Sequence, residues 1–182
     1  VSVNSNFGYY HFQPSGALLQ YNYRINAYYS RMYQPGNFNR AFVRGTGFWL
    51  FRNFWDVSLT AGYFPTENDY FVLGDPATYR RFVKRPSYGY IESSGSTDSR
   101  KRLYVRYSVL FSDFFESAPN KAYHAVEGGL RYRFSNRFTL DLSHRHEGET
   151  DYIIYAGREI NNEPIVAFVN FTDVTSILSG IY

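Results

Sequence analysis

The sequence predicts an all-β protein: an antiparallel up-and-down transmembrane β-barrel, of which these residues form an incomplete segment of about 8–10 strands. Three observations carry that prediction. The first is alternation. In ALLQYNYRINAYYSR, Ala17 to Arg31, the odd positions Ala17, Leu19, Tyr21, Tyr23, Ile25, Ala27 and Tyr29 alternate with Gln20, Asn22, Arg24, Asn26 and Ser30. Soluble strands average about five or six residues, whereas a strand crossing a bilayer needs roughly 9–11, apolar outward and polar inward. The second is composition: 19 Tyr and 17 Phe bring aromatic residues to 21% of the chain, as interfacial girdles require. The third is parity. Connections alternate short and long, as they do between the periplasmic turns and external loops of a meander.

The elements follow in order. Strands are expected over 2–12, 17–31, 41–52, 57–64, 87–94, 101–112, 122–134 and 138–147. The short connections are QPSG (13–16), NFWD (53–56), SGSTDS (94–99) and SNR (135–137), all expected on one rim. The long ones, expected on the other rim, are QPGNFNR (34–40), the stretch 65–86 and SDFFESAPNK (112–121). A three-residue loop at SNR pairs Phe134 with Phe138, so Arg131 faces Asp141 and Glu127 faces Arg145 on one side. Leu130, Tyr132, Phe134, Phe138, Leu140 and Leu142 then share the other side. At NFWD, Phe51 is expected opposite Val57, which sets Trp49 against Leu59, Gly47 against Ala61 and Gly45 against Tyr63, a tyrosine covering a strand glycine. Leu103, Val105, Tyr107, Val109 and Phe111 alternate with Arg102, Tyr104, Arg106, Ser108 and Ser112. The tail is less regular: DYIIYAGRE and EPIVAFVNF form two further spanning strands or a hairpin above the membrane, and VTSILSGIY starts another strand.

Composition excludes several classes. No run of 18 apolar residues exists, and the mean hydropathy is -0.42, so this is no α-helical membrane protein. The absence of cysteine removes disulfides, thiolate zinc sites and thiol catalysis. A net charge of +3 gives no footprint for nucleic acid, and no cofactor is expected. Val1 opens directly into polar and aromatic sequence without an apolar leader core, so an exported form is expected to have lost its leader.

Three groups of candidate residues emerge. Alternation turns Arg24, Arg102, Arg106, Glu127, Arg131, Arg133, Asp141 and Arg145 toward a lumen, since an arginine on the lipid side at mid-bilayer costs about 2–4 kcal/mol. Trp49, Phe51, Trp55, Tyr63, Tyr132, Phe134 and Phe138 are candidates for the lipid interface. Arg80, Arg81, Lys84 and Arg85, in the longest loop, form a candidate contact for lipopolysaccharide phosphates or an acidic ligand. His144 and His146 lie two apart on one strand face, a spacing that can bind metal, but an interfacial histidine pair is the simpler reading and no metal is assigned. Ser143 and Asp141 alternate to one face and His144 to the other, which argues against nucleophilic catalysis there. Glu67, Asn68 and Asp69 are a weak calcium pattern.

At Phe82-Val-Lys-Arg-Pro-Ser, Ser96-Thr-Asp-Ser-Arg-Lys and Ile177-Leu-Ser-Gly-Ile-Tyr the sequence resembles an uncharacterised family of Bacteroidota outer-membrane proteins. In that family a domain like family-nine carbohydrate-binding modules precedes a large C-terminal barrel. The resemblance covers most of 17–182, and it implies that residues 1–182 are one segment of such a barrel, its first and last strands lying elsewhere. It implies location in the bacterial outer membrane, with outer-membrane lipids, lipopolysaccharide and other envelope proteins as partners. The expected function is non-enzymatic: a channel, or a subunit of an outer-membrane complex linked to glycan uptake or surface protein assembly. The glycan link comes from the resemblance alone. The alternatives are an outer-membrane rim hydrolase and a soluble β-rich carbohydrate-binding module.

Overall fold

A computed structural model describes residues 1–33, 36–70, 82–115, 122–160 and 163–181. Eleven strands account for nearly all of them, and no helix occurs among the described residues. They are β1 (Ser2–His11), β2 (Leu18–Arg31), β3 (Phe38–Phe51), β4 (Asp56–Phe64), β5 (Glu67–Asp69), β6 (Val83–Arg85), β7 (Tyr88–Ser96), β8 (Leu103–Phe114), β9 (Ala122–Arg133), β10 (Thr139–Ile160) and β11 (Glu163–Ile181). Nine form one antiparallel sheet in the order β1-β2-β3-β4-β7-β8-β9-β10-β11, and β5 and β6 form a separate ribbon.

The large sheet is a meander, so its connections must alternate between two rims. The turns after β1, β3, β7 and β9 share one, hereafter the turn rim; those after β2, β4, β8 and β10 share the other, the loop rim. The expected parity of QPSG, NFWD, SGSTDS and SNR therefore holds.

The sheet is a single layer. Its accessible surface is 12257 Å², where a compact globular chain of 21.3 kDa would show roughly 9,100 Å². Among the described residues only Tyr70 is a buried hydrophobic side chain. Two packed sheets, the architecture of a sandwich, do not occur among the described residues.

Register defines the faces. The outer face, so termed here for its apolar side chains, carries Phe7, Tyr23, Ile25, Val43, Leu59, Ile91, Phe111, Val126 and Leu142, half or more than a third exposed. The opposite, polar face carries Asn26, Arg44, Thr46, Thr60, Glu92, Ser108, Glu127 and Arg145. At its loop end the polar face also bears an aromatic row across four strands. Tyr28 stacks on Phe42 with ring centres 5.3 Å apart, Phe42 lies 5.2 Å from Phe64, and Phe64 stacks on Tyr88 at 4.5 Å. These rings face one another, so their stacking stabilises the cross-strand pairs.

The hairpin at 134–138 has the expected register: Phe134 N–H donates to the Phe138 carbonyl, and Arg131 pairs with Asp141 and Glu127 with Arg145. The hairpin at NFWD differs by two residues. Trp49 pairs with Val57, Gly47 with Leu59, Gly45 with Ala61 and Val43 with Tyr63. The reason is a tighter loop. Phe51 N–H donates to the Trp55 carbonyl at 2.8 Å and Phe54 N–H to the Phe51 carbonyl at 2.9 Å, with Phe54 left-handed at φ 62°. This is a three-residue hairpin loop with its last residue in the left-handed region. A shift of two preserves every facial assignment. It also removes the Gly45–Tyr63 pairing; aromatic rings instead cover Gly47 (Trp49), Gly62 (Tyr90) and Gly95 (Tyr107).

Three further expectations change. Ser94 to Ser96 belong to β7, so that turn is confined to 97–102. The stretch 65–86 contains the β5–β6 ribbon, held to β3 by Asn68 Nδ2 donating to the Phe38 carbonyl at 2.9 Å and by an Arg40–Glu67 ion pair at 3.1 Å. The tail makes one long hairpin rather than two or three strands. DYIIYAGRE continues β10, and EPIVAFVNF and the part of VTSILSGIY up to Ile181 both belong to β11. Among the described residues, pairing of β10 with β9 ends at Glu149–Tyr123, and beyond it β10 pairs with β11, through register shifts after Glu149 and Tyr155. β1 and β11 are the two edges of the sheet.

Candidate functional site

The polar face is the candidate site, because it gathers most of the charged side chains that strands fix in position. Seven of the eight residues expected there share it: Arg24 on β2, Arg106 on β8, Glu127, Arg131 and Arg133 on β9, and Asp141 and Arg145 on β10. Arg102 lies one residue before β8, in the turn; its carbonyl accepts the Arg133 N–H at 2.8 Å.

On β8–β10 these charges form a network. One Glu127 carboxylate oxygen lies 3.5 Å from Arg106 Nη2 and the other 3.5 Å from Arg145 Nη1, so one residue ties three strands. Arg145 Nη2 also donates to Glu147 at 2.6 Å, and the Tyr123 hydroxyl donates to the same oxygen at 2.9 Å. Nearer the turn rim Arg131 Nε donates to Asp141 at 2.8 Å, and its guanidinium lies 5.6 Å from the centre of the Tyr104 ring. Apart from Arg145–Glu147, two residues apart on β10, these are cross-strand partners at the spacing a ladder imposes.

The β2–β4 half is different. Arg24 and Arg44 are diagonal neighbours, since Arg24 pairs with Thr46 and Asn26 with Arg44. With Asn6, Asn26, Thr46, Ser58, Thr60, Tyr90 and Glu92 they line a groove of about 290 Å³. No described carboxylate pairs with either arginine. Arg44 was missed by sequence reading, although its position in β3 has the same parity as Thr46. Glu92 was missed as well.

The aromatics expected at a lipid interface divide between the rims. Trp49 Nε1 donates to the Tyr23 hydroxyl at 3.2 Å, and Phe51 and Trp55 close the adjacent turn. Tyr132 and Phe134 make an edge contact at 4.6 Å, and Phe134 stacks on Phe138 at 5.1 Å. All six belong to the turn end. Tyr63 belongs to the loop end, where it lies 5.8 Å from Phe115, and Tyr29 lies 5.8 Å from Phe38.

Two of the four loop cations, Lys84 and Arg85, are among the described residues. Arg80 and Arg81 lie outside the described residues. Arg85 is engaged by Asp69 at 2.7 Å and Glu67 at 3.8 Å, while Lys84 is exposed on the ribbon opposite Asn68. Glu67 and Asp69, the weak calcium candidates, are thus tied to arginines.

The histidines are brought together differently from the sequence expectation. His146 meets His124 of β9, with Nε2 atoms 3.3 Å apart, and His144 Nδ1 lies 2.8 Å from the Ser176 hydroxyl. No group of three potential ligands gathers among the described residues. The His144–Ser176 pair lies on the outer face, away from Asp141 and Ser143.

At the turn rim Asp98 is buried and receives three hydrogen bonds from Arg100: backbone N–H at 3.0 Å, Nε at 2.8 Å and Nη2 at 2.8 Å. These bonds hold the Asp98 carboxyl down at about 2. The same guanidinium sits 3.6 Å over the ring of Phe54, joining the β7–β8 turn to the β3–β4 turn.

Comparison with known proteins places one family on the whole sequence. The model of a domain of unknown function (DUF5916) matches residues 1–182. The chain belongs to this family. Neither a curated protein nor a solved structure matches it. Family membership describes a domain whose role must be argued from its faces and rims.

Proposed function

We propose that this domain of the DUF5916 family is part of the wall of a bacterial outer-membrane β-barrel, non-enzymatic, whose polar face lines the lumen. The observation that carries this reading is the two-sidedness of a single-layer sheet: an exposed apolar outer face, a charged inner one, and aromatic residues near both rims. Along β3, Trp49 and Ala41, the partner of Tyr29, are eight residues apart, about 26 Å of strand. Tilted by roughly 35–45°, that length rises about 18–21 Å, which places both aromatic rows within an apolar band about 25 Å tall. β2 and β3 have 14 residues and β8 and β9 have 12, more than the roughly 9–11 that span a bilayer.

The bridged charges of β8–β10 suit a wall that must be stiff. We therefore favour a subunit of an outer-membrane complex, with the resemblance to Bacteroidota outer-membrane proteins supporting a role in glycan uptake or surface protein assembly. A channel is the second reading, and the groove beside Arg24 and Arg44 favours it. Conductance in planar bilayers separates the two: a scaffold does not conduct and co-purifies with other envelope proteins.

The barrel itself is tested by labelling. The chain has no cysteine, so Lys84→Cys on the ribbon and Asn136→Cys in the β9–β10 turn report the two rims separately. On intact cells an impermeant maleimide should modify position 84 and spare 136. Modification of both would mean that no membrane separates the rims, and would overturn the reading.

A further inference from the structure

The arginines of the polar face are not equivalent. Arg106, Arg131 and Arg145 each have a carboxylate partner at 2.6–3.5 Å. Arg24 and Arg44 have none among the described residues and stand side by side on adjacent strands. Two guanidiniums at diagonal positions of a ladder repel each other, and sheets usually avoid placing like charges so close. A strand position tolerates such a pair when something anionic is shared between them.

The surroundings supply further donors. Asn26 Nδ2 donates to Asn4 Oδ1 at 2.6 Å and to Asn6 Oδ1 at 2.7 Å. That use of the Asn6 carbonyl leaves its Nδ2 donors for the groove it lines. Thr46 and Thr60 hydroxyls are 3.3 Å apart beneath it and share one hydrogen bond, which leaves one proton over. Glu92 lines the opposite end of the groove, on the same register row as Arg24 but across β3 and β4. Its carboxylate is an acceptor for ligand donors there.

We propose that the Arg24–Arg44 groove is a binding subsite for an oxyanion, a phosphate or carboxylate group on a solute that can also offer hydroxyl donors toward Glu92. Arginine is the side chain suited to such a group, because its planar fork engages two oxygens at once. The bridged arginines of β8–β10 cannot do this, since they are already engaged by Glu127, Asp141 and Glu147. The subsite does not depend on the barrel reading, because the sheet carries the groove whether or not it spans a membrane.

Isothermal titration of the full protein in detergent micelles, with inorganic phosphate and with glucuronate as separate probes, tests it. At least one probe should bind, and Arg24→Gln or Arg44→Gln should weaken it tenfold or more with the circular dichroism spectrum unchanged. Arg137→Gln, in the exposed β9–β10 turn, should leave affinity within twofold. Preference for phosphate or for glucuronate identifies the source of the oxyanion, and a loss in Glu92→Gln confined to glucuronate places the hydroxyls. Absence of binding by both probes, or equal weakening in Arg137→Gln, overturns the proposal. If both arginine variants instead destabilise a protein that binds neither probe, the charge is met by a carboxylate of the protein itself, which also overturns it. Detergent dependence of the same sample reports on the barrel reading alone.

Discussion

Arg131 on β9 donates its Nε–H to the Asp141 carboxylate on β10 at 2.8 Å, across the strand pair that the SNR turn closes. Both side chains keep a third or more of their surface in contact with solvent. A double-mutant cycle with Arg131→Gln and Asp141→Asn should therefore return a coupling of about 0.2–1 kcal/mol in urea unfolding. A coupling above about 3 kcal/mol would mean that the pair is desolvated by something that covers this face.

The turn-rim clamp makes stability depend on pH. Arg100 holds the Asp98 carboxyl at about 2, below its ordinary 3.8. A carboxyl depressed in the folded state contributes stability that is present above its unfolded value and lost as pH falls through the folded one. Asp98→Asn should lower the urea midpoint at pH 7, and the gap to the parent should narrow between about pH 4 and pH 2. An unchanging gap across that window would show that the carboxylate charge contributes nothing.

Two glycines should behave oppositely. A methyl group on Gly45 would meet nothing within 4 Å, whereas on Gly95 it would meet the Asp56 carbonyl oxygen at 2.5 Å and the Tyr107 ring at 2.9 Å. Gly95→Ala should cost about 1–3 kcal/mol from overpacking. Gly45→Ala should be neutral or gain up to about 1 kcal/mol from reduced freedom of the unfolded chain. Equal midpoints for the two variants would refute the placement of β7 against β4.

Phe54 occupies the left-handed region at φ 62° while its ring lies under Arg100. Phe54→Val should destabilise the turn by about 1–2 kcal/mol, since a β-branched residue resists that backbone more strongly and the cation–π contact is lost. Phe54→Gly removes the strain together with the contact, so its midpoint should lie above that of Phe54→Val.

Much of this was legible because alternation is a local code. The partners Arg131–Asp141 and Glu127–Arg145 follow from one short turn, and the faces of β2 and β8 follow from parity alone. The NFWD register was not legible, because it depends on Phe54 adopting a backbone usually reserved for glycine or asparagine. The tail was not legible because β10 advances three residues between Glu149 and Tyr152 while β11 advances two between Phe171 and Val169, inverting parity within one strand. The Arg24–Arg44 pair escaped notice because adjacency between β2 and β3 needs the exact register of two long strands, and Arg44 follows Val43 in a stretch whose alternation two glycines interrupt.

A sheet with no second layer has a further consequence. Apart from the ribbon on β3 and the Tyr63–Phe115 contact, each described strand of the sheet meets only the strand on either side, so cohesion is largely a chain of nearest-neighbour terms rather than a property of a shared interior. Substitutions on β2 and β9 should then combine additively, as in repeat proteins whose units touch only their neighbours. Such a sheet can lengthen by a hairpin, or alter one, without renegotiating the rest.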